Sequence, residues 1–247
     1  MSAVAAAVHP ESRWRNGHTM ALLAVLAALA AGGFLVPRLA ERAAAPNHLR
    51  VAAWIGAATL LVAFAAVLSH GLTGYARGAL VDRRNRVSLA RVQVAAWTVL
   101  VLSAVYAAAL VNMGSDATSA LSLTIPSELW LAMGVSTASM VASPFVMKTT
   151  KRKREIATHD RIENSSWLDL FLGEEADNKG WVDLSRIQLF FFTFVLVLLY
   201  ATAVASTFWK GHALVRSLPA LNGALVVLLS VSHAGYLTKK AVPKARA

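Results

Sequence analysis

The stretch IQLFFFTFVLVLLYATAVASTF, residues 187–208, decides the fold class of this 247-residue chain. It contains no Asp, Glu, Lys or Arg. It is also long enough to cross the hydrocarbon core of a bilayer as an α-helix, which takes about 20 residues. A charge at the centre of such a helix would cost at least about 2.5 kcal/mol. The stretch therefore predicts a transmembrane helix.

Five further stretches share this composition, and together they predict six spans, at residues 19–36, 51–69, 92–112, 129–147, 187–208 and 218–237. The chain as a whole agrees, because 57% of its residues are hydrophobic and 15% are charged, whereas a soluble domain carries about 25% charged residues. There are no cysteines, which excludes thiolate chemistry and a disulfide scaffold. We expect an all-α transmembrane protein, a six-helix bundle.

The first span leaves an alternative of five spans. It closes at Gly32, Gly33 and Pro37, it follows Arg13 and Arg15, and the alanines at 43–45 resemble a signal-peptide cleavage site. An uncleaved first helix is the preferred interpretation, because several further spans follow it.

Basic residues and tryptophans predict how the spans are oriented. Nineteen of the 24 Lys and Arg residues lie in the N-terminal segment, the loops after the second and fourth spans, and the C-terminal tail. The positive-inside rule places these segments, and so both termini, in the cytoplasm. The tryptophans predict an aromatic belt at each membrane surface, with Trp54, Trp130 and Trp209 at one and Trp14, Trp97, Trp167 and Trp181 at the other.

Two sequence cassettes recur in the same order. SLARVQ at 88–93 precedes the third span and DLSRIQ at 183–188 precedes the fifth, while TIP at 124–126 and SLP at 217–219 precede the fourth and sixth. This predicts a parallel tandem repeat of a two-helix hairpin, since two spans per unit preserve orientation. Ser88 and Asp183 are good N-cap residues, and the prolines fit helix starts. The units are an N-terminal hairpin (1–81), repeat 1 (82–147), a cytoplasmic loop (148–181) and repeat 2 with a basic tail (182–247).

The repeated polar residues are the first candidate site. A cation in the first turn of a helix opposes the macrodipole, so each repeated arginine needs a lipid phosphate or an acid such as Asp82 or Asp183. The repeated glutamines suit helix–helix hydrogen bonds, or a functional polar network. The candidate polar, lipid-headgroup or partner contacts are Arg91, Gln93, Arg186, Gln188 and His233.

The loop at 148–186 is the second candidate site. A segment below about 40 residues rarely folds alone, so it is either a solvated connector lying on the headgroups or a docking element. Its apolar patch and the acids that follow give the candidate docking residues Trp167, Leu168, Phe171, Glu174 and Glu175.

No pattern predicts catalysis. The seven histidines show no metal-site spacing, so we expect no metal, no cofactor and no enzyme, and a lipid-modifying enzyme is the weakest hypothesis. The spans lack carboxylates, which disfavours proton-driven transport. The preferred function is a polytopic anchor or assembly component that docks a protein partner at its cytoplasmic face. The alternative is a passive channel or small-solute transporter that assembles as a homo-oligomer. Anionic lipid headgroups are expected partners and nucleic acid is not.

Several stretches resemble those of uncharacterised bacterial multi-span membrane proteins. They are NRVSLARVQ (85–93), WLDLFLGEE (167–175), DLSRIQLFFFT (183–193) and SHAGYLTKK (232–240). The resemblance covers residues 82–240. It implies a bacterial source and transfers no functional residues, and the expected location of the spans is then the bacterial cytoplasmic membrane.

Overall fold

A computed structural model describes residues 13–43, 47–115, 118, 120–151, 158–174, 178, 180–210 and 214–241. Its long helices are α1 (Asn16–Ala43), α2 (Asn47–Thr73), α3 (Leu89–Ser115), α4 (Ser127–Lys151), α5 (Leu184–Lys210) and α6 (Gly223–Ala241). Short 3-10 helices occupy Gly78–Leu80, Ile162–Asn164 and Trp167–Leu170. No strand occurs in the described residues, which contain three isolated β-bridges. The all-helical prediction is confirmed.

Four helices in the described part of the chain are long and apolar enough to cross a membrane. They are α1 as far as Glu41, α2, α3 and α5, while α6 contributes a shorter apolar helix, Gly223–Thr238. Large apolar side chains are exposed on the outside of the bundle, for example Leu26, Ile55, Leu102 and Leu198. Apolar surface of this extent marks a protein that meets lipid or a partner. The fold is therefore consistent with a membrane protein, and a bundle of six spans stays a prediction.

The first helix is longer than the sequence predicts. It does not close at Gly32, Gly33 and Pro37 but continues through Pro37 to Ala43. A proline is tolerated inside a membrane helix because neighbouring groups can satisfy the freed backbone.

The start of α6 also differs from its prediction. The SLP cassette at 217–219 does not begin the helix, because its backbone is already paired: Leu218 donates its amide to the carbonyl of Thr124 at 3.1 Å. The helix instead begins at Gly223, where the side-chain oxygen of Asn222 accepts the amide of Ala224 at 2.8 Å. By contrast, the predicted N-cap of α5 is confirmed, since the Asp183 carboxylate accepts the amide of Ser185 at 2.9 Å.

The α3 helix lies at the centre of the bundle and packs on α1, α2, α4 and α5. The side chains of Ala104, Ala107 and Ala108 are fully buried, and small residues of this kind let neighbouring helices approach closely. Trp97 is also fully buried, 5.9 Å between ring centroids from Tyr200, and Trp54 is buried as well. The prediction that these two tryptophans belong to the aromatic belts is therefore wrong.

The connections between helices separate onto two ends of the bundle. At one end, residues 124 and 217 form a parallel β-bridge. There the side-chain amide of Asn112 also exchanges two hydrogen bonds with the backbone of Val215, at 2.8 and 2.9 Å. At the other end lie the start of α1, the loop from α2 to α3 and the loop from α4 to α5. The side of the membrane on which each end lies stays a prediction from the basic residues.

At Gly114 the helices α1 and α3 approach each other so closely that a side chain there would clash. A Cβ atom at this position would lie 2.5 Å from the carbonyl oxygen of Pro37 and 2.6 Å from the Cβ of Ala40. We expect Gly114→Ala to lower the free energy of unfolding in detergent by about 1–3 kcal/mol, because backbone cannot yield as a side chain can. Gly56→Ala in α2 is the control, because its Cβ would meet nothing within 4 Å. Replacing a glycine inside a helix by alanine should then raise the free energy of unfolding by about 0.5–1 kcal/mol. Equal stabilities for the two variants would contradict this packing.

Candidate functional site

The loop from α2 to α3 and the loop from α4 to α5 fold against each other. We call the described residues of 75–88 and 158–183 the loop layer. The amide of His159 donates to the carbonyl of Arg84, and Asn85 Nδ2 donates to the carbonyl of His159, both at 2.9 Å. Arg77 Nε donates to Ser165 Oγ at 3.0 Å. Residues 158–174 are thus a folded segment, which overturns the alternative of a solvated connector for this part of the loop.

Asp169 holds the centre of the loop layer, with 2% of its surface exposed. Its carboxylate accepts the amides of Ser166 at 2.9 Å and Val87 at 3.1 Å. It also lies 3.0 Å from His159 Nε2 and 3.4 Å from Arg86 Nε. Burial by itself would raise the pKa of Asp169, but these donors and the charge of Arg86 outweigh it and hold the pKa below its usual value. The group is therefore an ionised acceptor and a poor base.

Glu174 connects three parts of the chain. Its Oε1 atom lies 2.5 Å from Arg186 Nη1 and 3.0 Å from Arg84 Nη2, and it accepts the Tyr236 hydroxyl at 3.2 Å. Arg84 also pairs with Asp82 at 2.6 Å. Burial acts to lower the pKa of Arg84, but the two carboxylates outweigh it and raise the pKa. The carboxylate of Glu174 therefore ties the loop before α3 to α5 and α6.

Two arginines, Arg186 and Arg86, also donate hydrogen bonds to backbone carbonyls of residues 169–173. Arg186 donates to the carbonyls of Asp169 at 2.8 Å and Leu170 at 3.0 Å. Arg86 donates to the carbonyl of Gly173 at 2.6 Å, and burial lowers its pKa although Asp169 opposes this. We call the following six residues the charged cluster: Asp82, Arg84, Arg86, Asp169, Glu174 and Arg186. Three guanidinium groups face three carboxylates, so the buried charges are compensated, and the cluster is suited to holding the loop layer rigid.

Polar side chains continue from the charged cluster into the bundle. Gln93 Nε2 donates to Thr193 Oγ1 at 2.6 Å, joining α3 to α5, and Ser139 Oγ lies 2.6 Å from His233 Nδ1, joining α4 to α6. Some buried polar atoms of the described residues have no hydrogen-bond partner, among them Gln93 Oε1, Trp97 Nε1, Tyr200 Oη and His233 Nε2. No group of three His, Asp or Glu residues in the described part of the chain could hold a metal ion.

The two repeated Arg–Gln pairs occupy different environments. Arg186 and Gln93 are buried, at 2% and 1% exposure, and each contacts another element as described above. Arg91 is half-buried and donates to the carbonyl of Ala79 at 3.1 Å, while Gln188 is exposed on α5. The acid beside Arg186 is Glu174, which is neither of the acids suggested by the sequence. In each repeated pair, therefore, only one member is buried against another element: Arg186 of the two arginines and Gln93 of the two glutamines.

The candidate docking residues are divided between surface and interior. Trp167 and Leu168 are 53% and 64% exposed. Phe171 is half-buried and packs edge-to-face on Phe190, with 5.0 Å between ring centroids. Glu174 faces the charged cluster, and Glu175 lies outside the described residues.

Sequence reasoning missed Arg84, Arg86, Asp169 and His159 as members of one site. The arginines follow Asp82 in a basic run that suits lipid headgroups, and their partners lie far along the chain: Arg84 and Glu174 are 90 residues apart. One local signal was available, because Ser166 and Asp169 form a capping box around the 3-10 helix Trp167–Leu170. A weaker signal is that residues 148–186 contain eight basic and eight acidic residues, which could pair with one another.

Comparison of the chain with models of protein families, with curated proteins and with solved structures finds no match in any of the three.

Proposed function

We propose that this chain is an integral membrane protein that anchors a protein partner through its loop layer. The observation that supports it best is a group of exposed apolar side chains on loops whose backbone is held in place by hydrogen bonds. Trp167, Leu168 and Trp181 are 53%, 64% and 75% exposed, and Val182 and Leu184 beside them are exposed as well. Tryptophans in such positions often carry most of the binding energy of an interface.

The charged cluster gives this surface its second property, which is order before binding. When two proteins associate, each flexible side chain that becomes immobilised costs about 0.5–1.5 kcal/mol of binding free energy. Ordering a loop adds to this cost. The backbone on either side of Trp167 and Leu168 is already held, by the bonds from Ser166 to Asp169 and from Arg186 to Leu170. A partner would therefore meet a preformed surface.

We place the loop layer in the cytoplasm and the chain in a bacterial cytoplasmic membrane. The support is the excess of Lys and Arg in the segments at this end of the bundle. We also propose the tandem repeat: α3 and α5 both have 27 residues, and residues 124 and 217 of the matching TIP and SLP cassettes are paired side by side.

The polar interior favours an anchor over a passive channel. A channel would have to pass between the polar groups of α3 and α5, yet Gln93, Trp97 and Tyr200 are each 2% exposed or less. Water and solutes need an open polar path. Within a single chain, the space between the polar groups of α3 and α5 is filled by side chains.

The docking surface can be tested by placing a photo-crosslinking amino acid at Leu168 and, in a matched variant, at Leu121. Leu121 is 77% exposed at the opposite end of the bundle. In native membranes we expect a discrete protein adduct from position 168 and none from position 121. We also expect the adduct to be lost when Trp167→Ala is added, because Trp167 belongs to the same surface. Adducts to lipid alone at position 168, or the same protein adducts at both positions, would contradict the proposal. Solute flux through liposomes holding the purified protein would favour the channel instead.

A further inference from the structure

A second polar feature lies between the start of α1 and the end of α2, apart from the charged cluster. It is a cavity of about 520 Å³ lined by Arg13, Trp14, Arg15, His18, His70 and Gly74. None of these residues is among the headgroup contacts that the sequence predicts. The apolar stretch of α1 begins at Met20 and that of α2 ends at Leu72, so the cavity lies where the apolar parts of both helices end.

Two glycines allow this cavity to form: Gly71 near the end of α2 and Gly74 directly after the helix. A Cβ at Gly71 would lie 2.5 Å from the Trp14 ring, and one at Gly74 would lie 2.8 Å from the Arg13 side chain. Gly74 also has φ of 81°, which disfavours other residues. From the sequence alone, Gly71 and Gly74 indicate only a flexible exit from the second span. The structure shows instead that they let the N-terminal segment lie directly on the end of α2.

The histidines form a directed hydrogen-bond chain towards the cavity. The amide of Arg15 donates to His18 Nδ1 at 3.0 Å, so that nitrogen carries no proton. His18 Nε2 therefore donates to His70 Nδ1, which lies 2.9 Å away. The proton of a neutral His70 is then on Nε2, so the chain of donors ends on this ring atom.

The charge of the cavity is positive. Arg13 and Arg15 both contribute guanidinium groups, and the ion pair of Arg13 with Glu163 spans 3.9 Å between side chains that are 63% and 41% exposed. A pair of this kind neutralises little. Guanidinium groups together with an imidazole N–H match the oxygens of a phosphate group.

We propose that this cavity binds the phosphate of an anionic phospholipid headgroup. The exposed apolar side chains of Met20, Leu68 and Leu72 offer the adjoining surface for the acyl chains, which a free phosphate ion would not use. The site thus fixes the start of α1 at the membrane surface, independently of any protein that the loop layer docks.

The test is native mass spectrometry of the full chain in detergent, titrated with phosphatidylglycerol or with phosphatidylcholine of the same acyl chains. We expect tighter binding of phosphatidylglycerol to the unaltered chain. Arg13→Gln/Arg15→Gln should weaken it roughly 30-fold, since each basic residue near an anionic headgroup contributes about a factor of five. Arg38→Gln removes an exposed arginine at the far end of α1 and should leave this binding unchanged.

Two further arms decide between the remaining outcomes. Gly71→Ala should weaken phosphatidylglycerol binding by displacing Trp14 without removing a charge, and a thermal melt shows whether each variant is folded. Inorganic phosphate is used as a competitor: binding of this ion with no preference between the two lipids would overturn the lipid assignment. Equal phosphatidylglycerol binding by the unaltered chain and a folded Arg13→Gln/Arg15→Gln variant would overturn the site itself.

Discussion

Glu174→Gln is expected to lower the free energy of unfolding by about 3 kcal/mol, because it leaves buried arginines without their shared counter-charge. Glu174 is the carboxylate that meets both Arg84 and Arg186, whose side chains are 13% and 3% exposed. The substitution keeps the shape of the side chain, so the loss measures charge rather than packing. Reversible denaturant unfolding in detergent is a suitable measurement.

The matched control is Glu163→Gln. Glu163 makes an exposed ion pair with Arg13, 3.9 Å long, and such pairs contribute about 0–1 kcal/mol. If both variants lost the same stability, or if Glu174→Gln lost none, the charged cluster would not hold the loop layer as described.

Asp169→Asn is expected to lower the free energy of unfolding by about 3 kcal/mol at pH 7, because an amide cannot accept all the hydrogen bonds that converge on this buried carboxylate. The cost should depend on pH with a defined sign. The folded-state pKa of Asp169 is lowered from its usual value. Its contribution to the free energy of unfolding is therefore complete above about pH 5 and is lost as the pH falls through the usual aspartate value towards the folded-state pKa.

The measurement is the difference in unfolding free energy between the unaltered chain and Asp169→Asn, followed from pH 7 downwards. We expect a constant difference above about pH 5 and a narrowing difference below about pH 4, near the usual pKa of an aspartate. A difference that stays the same down to pH 3, or that widens on acidification, would show that Asp169 is not an ionised acceptor in the folded chain.

The helices were predictable from the sequence because each of them contains a long, continuous stretch of apolar residues. Every residue of α5 from Ile187 to Phe208 is uncharged, so the span could be recognised without knowing what it packs against. The N-cap at Asp183 was equally local, since an N-cap side chain bonds an amide two or three residues away. The start of α6 was mispredicted because the SLP cassette pairs with residue 124, a contact that no local pattern contains.

The charged cluster could not be predicted for the same physical reason. Each of its arginines has a satisfactory explanation as a headgroup contact within its own loop. Only the fold shows that Arg86 and Asp169, 83 residues apart, are neighbours. The same holds for the interior, where the sequence places Gln93 and Gln188 in equivalent positions but only Gln93 is buried against Thr193.

The most direct test of a membrane-inserted bundle with the loop layer on one side is labelling of single cysteines, since the chain has none of its own. Asp160→Cys reports on the loop layer and Leu121→Cys on the opposite end. A membrane-impermeant maleimide should label position 160 only in inverted membrane vesicles and position 121 only from outside intact cells. Labelling of both positions from the same side, or recovery of the chain in the soluble fraction without detergent, would contradict this arrangement.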